Sequence, residues 1–173
     1  MFLLALLALA GAPDLGCSLV VDRQEAIGGP RIDKGGYHLE AFGRAAYELT
    51  RGTARARVLV RPMPALASLT WRPPGAATAT ATCTSTPNPP AGPTGPGAVF
   101  CVLPGGRVIA GRGAARAEQD GRVYSAHATG TELRVSVEGP DVGFAAAWSD
   151  RPPPLVGATW LEVGGVTLTC WRL

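Results

Sequence analysis

Read for polarity alone, the chain is a succession of short runs in which apolar and polar residues alternate, the pattern of strands with one face in a core and the other in solvent. The clearest are Arg122 to Ala128, Thr131 to Glu138, Thr159 to Val163 and Val166 to Trp171, set off by the two-residue turn signals Asp120-Gly121, Thr129-Gly130 and Gly164-Gly165. They predict an antiparallel meander in the C-terminal third. Cys17 to Asp22, Ala65 to Trp71, Ala76 to Ser85, Ala98 to Leu103 and Arg107 to Ala110 add further strands, the last two joined through Pro104-Gly105-Gly106. From Arg55 to Arg61 arginine alternates with aliphatic residues, which predicts Arg55, Arg57 and Arg61 on one exposed face and Val58 and Val60 in the core.

Tyr37 to Leu49 fits two periods. As a strand it sets Tyr37, Leu39, Ala41, Ala45, Tyr47 and Leu49 on one face, with Phe42 out of step. As a helix it gathers Leu39, Phe42, Ala46 and Leu49, but Gly43 inside a helix costs on the order of 1 kcal/mol, so the strand reading is preferred. Ile27 to Gly36 reads as a loop, and Asp150 to Pro154 as a surface crossover, since consecutive prolines cannot donate to a ladder. About ten strands and at most one short helix predict an all-β fold, an antiparallel β-sandwich with a partly open β-barrel as the alternative. No internal sequence repeat stands out. An immunoglobulin domain is not expected: no tryptophan follows Cys101 on the next strand, and Leu168 stands where the tyrosine corner needs Tyr.

Composition agrees with this reading, for 23 glycines and 16 prolines in 173 residues suit many turns, and 46% apolar residues suffice for a core. A net charge of +3 is too small to argue for nucleic acid. Lys34 is the only lysine, and the arginine bias is read as codon composition rather than as selected chemistry.

Met1 to Ala10 is an uncharged apolar run of signal-peptide length, too short to span a bilayer, although no Lys or Arg precedes Arg23. The expected organisation is a signal peptide over residues 1–16 and a single β-rich domain over 17–173, with a Pro/Gly-rich loop at 86–97. Ala8 and Ala10 allow cleavage before Gly11, whereas Leu15-Gly16-Cys17 resembles the lipobox of bacterial lipoproteins and would make Cys17 a lipidation site. The expected location is secreted, periplasmic or cell-surface, with the membrane touched only through the signal peptide or a lipid anchor.

Four cysteines in an oxidising compartment predict two bridges. The expected pairing is Cys83 with Cys101, clamping the Pro/Gly loop, and Cys17 with Cys170, tying the first strand to the last. No C-x-x-C spacing occurs and only His38 and His127 could assist, so no metal site or cofactor is expected.

Signatures of nucleophile elbows, phosphate loops, zinc helices and dinucleotide sites are absent from the sequence. Asp22, Glu25, Asp33, Glu40 and Glu48 read as surface charges rather than a carboxylate pair. Arg51, Arg55, Arg57 and Arg61 are the candidate binding residues, able to meet an anionic partner, with a solvated strand face as the plainer reading. Trp71, Trp148, Trp160 and Trp171 offer a platform for sugars or proteins if they lie outside, and a core if they do not. The expectation is an exported, non-enzymatic binding or adaptor module acting through protein–protein or surface contacts. The alternatives are a structural envelope, virion or lipoprotein surface component and a small secreted hydrolase.

Overall fold

The computed structural model of the protein describes residues 16–28, 30–42, 46–60, 66–84, 96–149 and 158–172, with the backbone only at 59, 60 and 158. The expected signal peptide up to residue 15, Arg61, most of the Pro/Gly loop and the crossover at Asp150 to Pro154 lie outside the described residues. Sixteen strands follow in order: β1 (Gly16–Val21), β2 (Gln24–Gly28), β3 (Arg31–Lys34), β4 (Tyr37–Phe42), β5 (Ala46–Arg51), β6 (Ala54–Val60), β7 (Leu66–Trp71), β8 (Ala79–Thr84), β9 (Ala98–Val102), β10 (Val108–Arg112), β11 (Ala114–Gln119), β12 (Arg122–Ala128), β13 (Glu132–Glu138), β14 (Gly143–Ser149), β15 (Ala158–Val163) and β16 (Val166–Arg172). The one helical element among the described residues is a 3-10 turn at Pro104–Gly106.

The strands form two antiparallel eight-stranded sheets. Sheet A runs β11-β12-β13-β14-β7-β8-β1-β2, and sheet B runs β10-β9-β16-β15-β6-β5-β4-β3. The sheets do not close into a barrel, so the sandwich prevails over the barrel. Their inner faces share one apolar cluster, and Tyr37 of β4 meets Trp71 of β7 edge-to-face across it at 6.4 Å.

Alternation carries the prediction through much of the chain. Tyr37, Leu39, Ala41, Tyr47 and Leu49 are all buried, which decides for strands, split into the hairpin β4–β5, and leaves Phe42 exposed on the outer face. The segment expected to be a loop, Ile27 to Gly36, instead holds the end of β2 and all of β3. Gly28 marks a change of sheet and Gly35-Gly36 a hairpin turn, and between them Ile32 reaches the core from a strand of four residues. The two-residue turns at Asp22-Arg23, Gly35-Gly36, Asp120-Gly121 and Gly164-Gly165 have positive φ at both positions, the twist that tight hairpins require.

The strand itinerary repeats. β1 and β2 lie in sheet A, β3 to β6 in sheet B, and β7 and β8 in sheet A; β9 to β16 take the same path with the sheets exchanged. Moving every strand number forward by eight converts the order of sheet A into that of sheet B. Each sheet therefore contains four strands from each half of the chain.

The bridges obey the same rule and correct the expected pairing. Cys17 is joined to Cys83 between β1 and β8, and Cys101 to Cys170 between β9 and β16, so each bridge links the first and last strands of one half. Both cysteine pairs stand directly opposite in register with Cα atoms 4.1 Å apart, the close approach of facing residues in an antiparallel ladder. Cys83 and Cys101 belong to different sheets, as do Cys17 and Cys170. The Cys101–Cys170 bridge does not restore an immunoglobulin pattern, because it joins neighbours within one sheet. The sulfur that lipidation of Cys17 would use is bonded to Cys83.

Non-reducing peptide mapping is expected to recover Cys17 with Cys83 and Cys101 with Cys170; a Cys83–Cys101 peptide would refute this topology. Because the bridges span 66 and 69 residues, removing either by paired Cys→Ala changes should lower urea-denaturation stability by nearly the same amount, about 4 kcal/mol in the chain-entropy picture. A second expectation concerns Tyr47, whose hydroxyl is buried without a hydrogen-bond partner and whose ionisation is pushed far above the usual 10.0 by that burial. The unfolded chain releases this proton near pH 10 and the folded chain retains it, so stability falls above that pH by about 1.4 kcal/mol per unit for this group. Tyr47→Phe should remove that increment of slope in pH-dependent unfolding, and at pH 7 should raise stability by about 1 kcal/mol by deleting an unsatisfied hydroxyl.

Candidate functional site

The candidate arginines do not form one cluster. Arg55 and Arg57 project from the outer face of β6 while Ala56 and Val58 are buried, as the alternation predicts. Arg51 points the other way. Its guanidinium lies 5.0 Å from the centre of the Tyr37 ring and donates to the Gly35 carbonyl, so it locks the β3–β4 turn against the core. Tyr37 in turn donates to the Ala77 carbonyl, and its ionisation is raised by burial against the opposing influence of Arg51.

Arg55 and Arg57 are already matched by an acid. Arg57 donates through Nε and Nη2 to Glu48 Oε2 at 3.2 and 2.9 Å, and Arg55 Nε stands 3.6 Å from the same oxygen. On the next strand Glu40, in register with Glu48, accepts from Arg31 at 2.9 Å. Strand register lines these residues up across sheet B as Arg31, Glu40, Glu48, Arg57 and Glu162, a row that with the adjacent Arg55 holds three residues of each sign. Asp22 and Glu25 are exposed at the β1–β2 hairpin and are not part of this row.

The tryptophans divide evenly. Trp71 and Trp148 are core residues, whereas Trp160 and Trp171 are half-buried on the outer face of sheet B. Phe100 meets Trp171 edge-to-face at 5.2 Å, with an angle of 64° between the rings. Val102 lies beside Phe100 on β9, and Val108 on β10, opposite Val102, is 48% exposed. The outer face of sheet B thus carries an aromatic and aliphatic patch at one end of its strands and the ion-paired row beside it. The sequence pointed to the tryptophans as a group but not to which of them lie outside; Phe100 and Val108 gave no signal at all.

The outer face of sheet A differs. It holds an open groove of about 340 Å³ lined by Ser68, Thr70, Ser125, His127, Arg134 and Ser136 together with Ala145 and Ala147. Register shows that the two outer faces are equivalent positions of one strand map, anchored on the bridged cysteines. Trp160 in sheet B occupies the place of Ser68 in sheet A, Trp171 that of Thr84, Phe100 that of Gly16 and Val102 that of Ser18. In the charged row, Glu40, Glu48, Arg57 and Glu162 stand where sheet A has Ser125, Ser136, Ala145 and Thr70.

The two histidines lie on opposite outer faces and cannot act together. His38 has Nδ1 at 2.7 Å from Asp33 and Nε2 at 3.8 Å from Glu40, at the exposed edge of sheet B, and the nearby Thr50 hydroxyl donates to the His38 carbonyl rather than to its ring. Among the described residues no group of three or more His, Cys, Asp or Glu gathers in a way that could hold a metal ion, and no helix is long and apolar enough to cross a membrane. No protein-family model, curated protein or solved structure matches the chain.

Glu48→Gln should lower stability by less than about 1 kcal/mol, because its partners are exposed and screened by water. Arg51→Ala should cost more, about 1 to 2 kcal/mol, through loss of the ring contact and the turn carbonyl. Chemical denaturation of the two variants checks the order, and a larger loss for Glu48→Gln would mean that the charged row supports the fold.

Proposed function

We propose that this chain is an exported, non-enzymatic binding or adaptor module that acts outside the cytosol through protein–protein or surface contacts, with the outer face of sheet B as its contact face. One observation carries the reading. The same strand map is built twice, and at matched outer positions sheet A makes do with Ser68, Thr84, Gly16 and Ser18 where sheet B has Trp160, Trp171, Phe100 and Val102. The fold therefore does not require large apolar side chains at these places. Partly exposed aromatics that folding does not need are characteristic of recognition surfaces, where a desolvated aromatic centre supplies most of the binding energy and a polar rim sets orientation. Two disulfides fit an oxidising environment outside the cytosol.

The test compares the wild-type protein with a variant that carries sheet A's residues on sheet B, Trp160→Ser with Trp171→Thr, both recovered from culture fluid or envelope and immobilised in folded form. Intact mass of the recovered protein should show removal of the apolar N-terminal segment. Wild type should retain a partner from extracellular fractions, and the double variant should retain at least about ten-fold less. Equal retention by both proteins would rule out this face as the contact, and cytosolic recovery of the uncleaved chain would rule out export.

A further inference from the structure

We propose that the partner fitted by the outer face of sheet B is a second copy of this chain, giving a back-to-back dimer that leaves the groove-bearing faces of both sheets A outward. The inference rests on the reading of this face as a contact surface and adds the identity of what covers it. Two features of the face select the occupant. The first is charge. Arg31, Arg55 and Arg57 share the face with Glu40, Glu48 and Glu162 beside the aromatic patch, and Arg31 and Arg57 are each 2.9 Å from an acid on the same face. A polyanion or an anionic lipid surface would meet carboxylates here, and a cationic partner would meet guanidinium groups. An isologous contact places every group of a face against some group of the same face, so it avoids net repulsion only where both signs are present together, as they are here.

The second feature is shape. Phe100 and Trp171 pack edge-to-face at 64°, so their rings are not coplanar and cannot both lie flat against one extended sugar chain. They form ridges, together with half-buried Trp160 and Val102 and the exposed Val108, of the kind that interdigitate with another side-chain surface. A second copy offers such a surface with matching ridges and the same mixed rim.

Val108 provides a test in which folding is not at stake, since it is exposed and its matched residue in sheet A is Ile27, which is 80% exposed. Sedimentation of the bridged mature protein from about 1 to about 200 µM should show a reversible monomer–dimer equilibrium, in the range expected of modest interfaces. Val108→Arg and the Trp160→Ser, Trp171→Thr pair should each weaken dimerisation by about ten-fold or more, while Ile27→Arg should leave it unchanged. Acrylamide quenching of tryptophan fluorescence should decrease with protein concentration in wild type and not in the paired variant, because Trp160 and Trp171 become covered. A wild type that stays monomeric at all concentrations overturns the proposal, as does a dimer that survives Val108→Arg or is lost with Ile27→Arg. If wild type is monomeric but the paired tryptophan variant still loses its extracellular partner, self-association fails and the contact face stands.

Discussion

Each sheet of the sandwich draws four strands from the first half of the chain and four from the second, so neither half can bury its inner face without the other. The joints are β14 against β7 in sheet A and β15 against β6 in sheet B, and they are equivalent places in the repeated strand map. Every core residue depends on these two pairings, because a sheet of half the strands would leave half of the opposing face in water. The bridges act one level below. Each ties β1 to β8 or β9 to β16, fixing the ends of a half so that its middle strands can be donated to the opposite sheet.

This constraint bears on inner and outer faces very differently. Inward positions must fill one shared core, and they converge on Leu, Val, Ala and aromatic residues in both sheets. Outward positions answer only to solvent and to whatever touches them. Under an otherwise matched strand map, sheet A has Ser68, Thr84, Gly16 and Ser18 at the outer positions where sheet B is aromatic or aliphatic, and Ser125, Ser136, Ala145 and Thr70 where sheet B has its charged row. The comparison separates what a strand needs from what a surface does, since one half of the molecule serves as a reference for the other.

The arginines illustrate the same division. Arg57 and Arg55 share Glu48, so these outward arginines lie within an ion-paired row beside the aromatic patch. Arg51 is one residue out of phase with the outward positions of β5. It is turned to the inner side, where its cation lies over Tyr37 and its hydrogen bond closes the β3–β4 turn.

Period-two alternation and hairpin signals are local properties, and the sequence by itself determined what depends on them: an all-β fold, the C-terminal hairpins, the burial of Val58 beside exposed Arg55 and Arg57, and the strand character of Tyr37 to Leu49. Strand pairing between distant segments is not local. The disulfide partners, the exchange of strands between halves and the burial of Trp71 and Trp148 beside the partial exposure of Trp160 and Trp171 were settled only by tertiary structure. Short strands such as β3 carry too few residues to display a period, and the repeat is hidden because loops of unequal length shift the register, so that one bridge spans 66 residues and its counterpart 69. Alternation tells which residues of a strand share a side; only the packing of the two sheets decides which side becomes the core, and so which aromatic residues remain outside.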